Sequence, residues 1–315
     1  MRLHKRSPDA ISLGDSAVDY IATVERHPPW GGDSQISVLE RHAGGSAANF
    51  AVAMARLGFS SGFIGKVGSD EEGRFLRDDL KREGVDVSYL RREDGRTGTI
   101  FVIVDRNGQR TMLSFRGANV RLRPEEIPRQ YVADSRLLHI SGYSLVRPPQ
   151  CDAALAAMRY AKEENVRISL DPSPLVHLAE GKVLAETLGL VDVLLPSEAE
   201  AKYLSRKKNL KDAGRTLLEK GASIVAVKLG SKGCLVMTKH EKIRVPSFNV
   251  KTIDTTGAGD AYNAAFLAGY LRGWPLRRSA EFANAAAALK TTKAGARNGL
   301  PRTDELEAYI RYECN

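Results

Sequence analysis

The chain has 315 residues, 43% of them hydrophobic, which is ample for the core of one large α/β domain or two smaller ones. Its formal net charge of +9 comes from 47 Lys and Arg spread among 38 Asp and Glu. Without basic clusters interleaved with aromatics, that charge reads as general attraction for an anion and argues against nucleic-acid binding. No apolar run approaches the ~18 residues that cross a bilayer. Cys151, Cys234 and Cys314 are odd in number, far apart and free of any CxxC pair, so reduced thiols in a cytoplasmic setting are expected, without a disulfide framework or zinc site.

Met1 to Asp9 is short, polar and basic and lacks a hydrophobic segment of signal-peptide length. Ala10 to Leu13 reads as a buried strand ended by Gly14-Asp15, with Asp19 a few residues beyond. Pro28 to Gly32 is turn chemistry, and Ser34 to Glu40 has the period-two character of a strand. Gly44-Gly45-Ser46-Ala47-Ala48-Asn49 then opens a helix. Ser46 is its expected N-cap, Phe50, Met54 and Leu57 share one face, and Gly58 is a plausible C′ residue. The two glycines expose backbone, and Asn49 brings donors and an acceptor one turn into the helix.

Strands and helices alternate from there. Gly62 to Val67 is a strand and Glu71 to Glu83 a helix; Thr97 to Asp105 and Gln109 to Phe115 flank Arg106-Asn107-Gly108, an Asn-Gly hairpin signal. With Ser34 to Glu40, this hairpin is expected to form a small sheet apart from the main one. Leu137 to Ile140, Val166 to Leu170, Val191 to Leu195 and Ser223 to Leu229 are short apolar strands separated by helices around Asp152 to Glu164 and Asp212 to Lys220. His139 reads as a core or strand-end histidine. The pattern predicts a doubly wound, mostly parallel sheet with helices on both faces, and ligands then bind outside the carboxyl ends of the strands. Glu200, Gly230 and Asp260 all follow strand ends.

The stretch around which the rest is organised comes late. Val245 to Ile253 reads as a strand that feeds Asp254-Thr255-Thr256-Gly257-Ala258-Gly259-Asp260, and Ala261, Ala264, Ala265, Ala268 and Leu271 continue with helical spacing. The first N–H groups of a helix lack intrahelical partners and carry partial positive charge, so the turn favours an anion that Gly257 and Gly259 allow to approach closely. Asp260 stands beside the same spot, where a carboxylate can take a proton from a hydroxyl attacking phosphorus. Arg272 to Pro275 breaks the chain before an alanine-rich helix, Ser279 to Lys290.

These two glycine motifs, in this order and with Gly230-Ser231-Lys232-Gly233 between them, resemble the ribokinase or PfkB family of carbohydrate kinases, with similarity from Gly14 to about Ile310. The resemblance implies one ribokinase-like domain over residues 1–315 with a lid formed by about 33–42 and 97–116. It implies Asp260 as base and the N–H groups of Gly257, Ala258 and Gly259 as an anion hole. Asp19, Gly44, Gly45 and Asn49 match positions that hold the acceptor's hydroxyls. Gly230, Ser231 and Gly233 match the nucleotide loop, and Asn284 falls where the family lines the adenine pocket. Glu200 closes what is usually an Asn-x-x-Glu motif associated with Mg²⁺ through water, but the first position here is Ser197. Asp254 and the Thr256 carbonyl fit a monovalent cation, K⁺ or Na⁺.

Other departures bear on the acceptor. Ser141-Gly142-Tyr143 stands where ribokinases tend to carry a ribose-binding Glu. Lys228, just before the nucleotide loop, stands where they usually have Thr and is expected to bring a cation to the phosphates, a surface lysine at a strand end being the alternative. Arg116, ending the lid hairpin, offers paired donors for a carboxylate or vicinal hydroxyls, a solvated lid arginine being the alternative. The expectation is an ATP- and Mg²⁺-dependent kinase acting on a hydroxymethyl group of a ketose, sugar acid or pentose. The alternatives are a nucleoside kinase and a non-catalytic sugar sensor. A homodimer through the lid is expected, with no nucleic-acid or membrane partner.

Overall fold

A computed structural model describes residues 8–313; most of the Met1 to Asp9 segment and Cys314 lie outside them. The strands are β1 (Ala10–Leu13), β2 (Ala17–Val24), β3 (Ile36–Gly44), β4 (Ser61–Gly68), β5 (Asp86–Glu93), β6 (Gly98–Val104), β7 (Arg110–Phe115), β8 (Leu137–Ser141), β9 (Arg167–Asp171), β10 (Val193–Leu194), β11 (Ile224–Lys228), β12 (Cys234–Met237) and β13 (Lys242–Val245). The helices are α1 (Ser46–Arg56), α2 (Glu71–Arg82), α3 (Arg129–Ala133), α4 (Gln150–Glu163), α5 (Gly181–Leu190), α6 (Glu198–Ser205), α7 (Leu210–Glu219), α8 (Ala258–Leu271), α9 (Leu276–Thr291) and α10 (Thr303–Glu313).

Nine strands form the main sheet in the order β13-β12-β11-β10-β9-β8-β1-β4-β5, parallel from β11 to β5, with β12 and β13 added antiparallel at one edge. Alternation along β1 shows why both faces need helices. Ala10 faces the side occupied by α1, α8 and α9, whereas Ile11 and Leu13 pack with α4 and its neighbours. The strand order reverses at β1, which lies between β4 and β8, and this reversal opens a crevice at the carboxyl ends.

The second sheet has the order β3-β2-β6-β7. The expected Asn-Gly hairpin is present: Gly108 has φ 75°, and Asp105 Oδ1 accepts from the N–H groups of Asn107 and Gln109. The centre of this sheet is β2, which has no counterpart among the expected strands. Asp19 interrupts its apolar run, and aspartate is poorly suited to strands, so the local pattern conceals the strand. Period-two alternation puts Asp19, Ile100, Val102, Met112 and Ser114 on the face toward the main sheet. Leu39, Phe101 and Leu113 fall on the opposite face.

One expected strand is absent. Val245 to Ile253 does not form a strand: β13 ends at Val245, Pro246 has no N–H to continue a ladder, and Ile253 and Asp254 both donate to the Thr291 carbonyl at the end of α9. The chain therefore reaches Gly257 as a loop moored to a helix end.

Candidate active site

A cavity of about 420 Å³ lies between the carboxyl edge of the main sheet and the inner face of the second. Successive strand ends supply its floor: Asp15 after β1, Tyr143 after β8, Asp171 at the end of β9, Glu200 after β10 and Lys228 at the end of β11. Asp19, Ile100, Val102 and Met112 form the roof, and Ser46, Asn49, Gly257, Gly259 and Asp260 close one side.

Asp260 sits in the first turn of α8, buried, with both carboxylate oxygens held from α1. Ser46 Oγ donates to Oδ1 at 2.8 Å and Asn49 Nδ2 to Oδ2 at 2.8 Å. Ser46 is thus no N-cap. That position belongs to Gly45, whose φ of 92° and close approach to the Asp15 carbonyl leave no room for a side chain. The Ser46 hydroxyl turns across to the neighbouring helix instead. Burial pushes the Asp260 carboxyl up to about 6, against the opposing hydrogen bond from Asn49. It therefore remains ionised at neutral pH, in the state a base requires.

Asn49 is itself oriented by a residue that local sequence gives no reason to select. Arg297, buried, donates through Nε to Asn49 Oδ1 at 3.0 Å and through Nη2 to the Gly44 carbonyl at 2.8 Å, and pairs with Asp79. A guanidinium has no acceptor, so the carboxamide must turn its oxygen toward Arg297 and its Nδ2 toward Asp260. Arg297 lies 248 residues from Asn49 and belongs to no motif.

The glycine turn matches its expected form with one difference. Gly257, the N-cap of α8, has φ 80°, and a Cβ there would stand 2.5 Å from the Ala296 carbonyl. Gly257 and Gly259 line the cavity, but Ala258 does not, and its N–H closes the turn on the Thr255 carbonyl at 3.2 Å. Lys228 Nζ lies 3.7 Å from where a Cβ on Gly259 would be, so an ammonium adjoins the turn. It is held by Asp171 Oδ2 at 3.1 Å and Asn263 Oδ1 at 3.3 Å. Lys228 is accordingly no free surface lysine.

Glu200 and Ser197 form a capping box on α6: Ser197 N–H donates to Glu200 Oε2 at 2.8 Å and Glu200 N–H to Ser197 Oγ at 3.4 Å. Burial, then the neighbouring Asp171, raise the Glu200 carboxyl above its ordinary value. Among the described residues, no three His, Cys, Asp or Glu side chains gather as a metal site. Asp171 and Glu200 nevertheless present hard carboxylate oxygens to one cavity, which fits Mg²⁺, an ion that keeps several waters and binds few protein groups.

Arg116 faces the cavity but forms a bidentate pair with Asp15, both contacts at 2.8 Å, and also donates to Gln150. Its charge is neutralised before any substrate arrives, so the expected grip on a carboxylate does not fit this arrangement. Asp19 differs: it is buried, and its Oδ1 accepts no hydrogen bond from the described residues. Gly44 lies against the Asp19 carboxylate, where any side chain would collide with it.

Asp254 is enclosed by donors. Oδ1 accepts from Thr256 N–H at 2.9 Å, Thr256 Oγ1 at 2.7 Å and Arg110, while Oδ2 accepts from Gly295 N–H at 2.9 Å. Gly230, Ser231, Gly233 and Asn284 do not line the cavity. Gly230 to Lys232 forms a short 3-10 turn after β11, and both Asn284 contacts go to the carbonyls of Val245 and Pro246, which steady the exit from β13. His139 is buried as expected, stacks on Phe50 and contacts Ser169 through Nδ1.

Residues 7–303 match the profile described as pfkB family carbohydrate kinase. The ATP-dependent ribose-1-phosphate kinase of Halopiger xanaduensis is 34% identical over 301 residues, covering 95% of this chain and 97% of that protein. The crystal structure of ribokinase from Thermotoga maritima superposes with a TM-score of 0.87 at 29% identity, covering 96% of this chain and 99% of the other. A ribokinase of Staphylococcus aureus is 30% identical over 304 residues, covering 94% of this chain and 97% of that protein.

Proposed function

The chain belongs to the pfkB family of carbohydrate kinases, and from that premise we propose that it transfers the γ-phosphoryl group of ATP to a hydroxymethyl group of a neutral sugar or polyol. The observation that carries this reading is Asp260, an ionised carboxylate at a helix N-terminus, fixed by Ser46 and Asn49 beside the Gly257–Gly259 turn. The acceptor oxygen attacks the γ-phosphorus, its proton passes to Asp260, and the bond to the bridging oxygen breaks to release ADP. The Gly257 and Gly259 N–H groups and the Lys228 ammonium are aimed at the charge that spreads over the phosphoryl oxygens. Mg²⁺, held through water by Asp171 and Glu200, would neutralise phosphate charge when bound with ATP.

Asp19 supports a neutral acceptor. A buried carboxyl whose Oδ1 has no partner among the described residues suits an acceptor hydroxyl, and the neighbouring Arg116, already balanced by Asp15, offers no free charge to a carboxylate or phosphate. This disfavours a sugar acid. Gly44 and Gly45 bring the backbone to the same acceptor end, and Gly230, Ser231 and Gly233 form the nucleotide loop. The second sheet acts as a lid that excludes water from the phosphoryl group. Its outward Leu39, Phe101 and Leu113, between 51% and 61% exposed, form the contact of a homodimer. The free buried thiols of Cys151 and Cys234 support a cytoplasmic setting, and among the described residues no helix is long and apolar enough to cross a membrane.

No step is routed through a monovalent cation, because the oxygens of Asp254 are already occupied by donors. Asp260→Asn is expected to lower kcat by about 10²–10⁴-fold with little change in KM, assayed by ADP release with neutral sugars, a sugar acid and a nucleoside. In the wild type, kcat/KM should fall tenfold per pH unit below about 6, where Asp260 becomes protonated. Near-native kcat in the Asn variant would remove Asp260 as the base. Turnover of the nucleoside alone would reassign the acceptor.

A further inference from the structure

Behind the anion-hole turn lies a cation that the reaction above does not use. Lys290, in the last turn of α9, has a side chain with 0% exposure. Its Nζ donates to the carbonyl of Asp254 at 3.0 Å and to that of Lys293 at 3.1 Å. An ammonium has three donors and no acceptor, and it is buried only where oxygens replace its water. Both oxygens it reaches belong to the backbone, one from the approach to Gly257 and one from the turn after α9. That second segment also sends Gly295 N–H to Asp254 Oδ2 and sets the Ala296 carbonyl beside Gly257.

Main-chain carbonyls gathered beside a carboxylate around one positive charge are what a dehydrated alkali cation requires, carbonyl oxygens standing in for its water. Here the charge is supplied by the chain. We propose that the Lys290 ammonium is a tethered monovalent cation: it clamps the Asp254–Gly257 approach to the end of α9, adds fixed positive potential behind the turn, and makes the protein independent of K⁺ and Na⁺. The inference rests on the reading of Gly257–Gly259 as the phosphoryl site. Lys290 is a positioning residue, acting through Asp254 and the turn.

The test uses thermal unfolding of the wild type, with no reference to catalysis, in KCl, NaCl and choline chloride at equal ionic strength. A protein that binds an exchangeable cation is stabilised by it in proportion to the logarithm of its concentration above Kd. The wild-type midpoint is expected to be the same in all three salts, and ATP-dependent turnover likewise. In Lys290→Ala, which leaves space for an ion, kcat in choline should fall about tenfold or more with acceptor KM little changed. Both kcat and midpoint should then rise saturably with K⁺. A wild-type midpoint that rises with K⁺ over choline overturns the proposal. So does an Ala variant with undiminished kcat in choline, or one whose loss K⁺ does not relieve. If the variant fails to fold, the wild-type comparison decides. If the wild type phosphorylates no acceptor, the functional reading fails while the unfolding comparison still tests the tethered cation.

Discussion

Asp19 enters the cavity with one carboxylate oxygen that no donor of the described chain meets. Burial pushes this carboxyl up to about 7, with Arg297 and His42 opposing the rise. Because the folded value is above the unfolded one, folding takes up a proton between about pH 4 and 7. The stabilisation is complete at acid pH and is lost as pH rises through about 7. Asp19→Asn keeps the shape and removes the charge. Its melting temperature is therefore expected to exceed that of the wild type by several degrees at pH 8 and to converge with it near pH 4. Acceptor affinity should fall in the same variant. Equal melting temperatures at pH 8 would show that Asp19 is not desolvated in the free protein. The sequence identifies Asp19 and Asp260 as candidates but cannot reveal that one is satisfied by α1 while the other is left open.

Two helix N-termini build the reacting centre. The start of α1 supplies Ser46 and Asn49, the start of α8 supplies Asp260, and each is preceded by a glycine at positive φ, Gly45 and Gly257. Gly257→Ala would place a methyl against the Ala296 carbonyl and strain the backbone. A displacement of the turn by about 1 Å is expected to cost roughly 10²-fold in kcat, with nucleotide and acceptor KM changing much less. Unchanged kcat would show that the turn does not touch the transferring group. Both helix starts are legible in the sequence because glycines in a short motif are local signals. The Gly62 to Val67, Leu137 to Ile140 and Val166 to Leu170 strands are legible as short apolar runs, and the hairpin from Asn107-Gly108. Illegible are the relations across the fold: Arg297 behind Asn49, Asp15 against Arg116, Asp171 with Lys228, and Lys290 under Asp254. Each pairs a residue marked in the sequence with one brought to it only by the fold, and Arg297, Asp15, Asp171 and Lys290 carry no distinguishing neighbour in sequence. Asn284 shows the converse, a polar residue in an alanine-rich helix whose donors serve the backbone of Val245 and Pro246.

At the scale of the molecule, two sheets meet at one cavity, tied by Arg116 to Asp15, Arg110 to Thr256, and Tyr20 and Arg41 to Glu72 of α2. On the outer face of the smaller sheet, α2 meets Tyr20 and Arg41, while Leu39, Phe101 and Leu113 stay exposed. A glutamate at Leu113, 60% exposed on the edge strand β7, would put a charge into this apolar patch. Leu113→Glu is expected to shift the protein from dimer to monomer in sedimentation or light scattering and to remove the dependence of its melting temperature on protein concentration. A wild type that is monomeric at micromolar concentration would dismiss the interface. The contacts that finish the reacting centre span most of the chain: 214 residues from Ser46 to Asp260 and 253 from Gly44 to Arg297. During synthesis, the first glycine motif emerges long before its partners exist, and loops this long close late. A nascent chain that has not reached Arg297 thus lacks the group that orients Asn49. Competence to spend ATP is acquired only once Arg297 and the segment around it have emerged, so phosphoryl-transfer activity reports synthesis at least as far as Arg297.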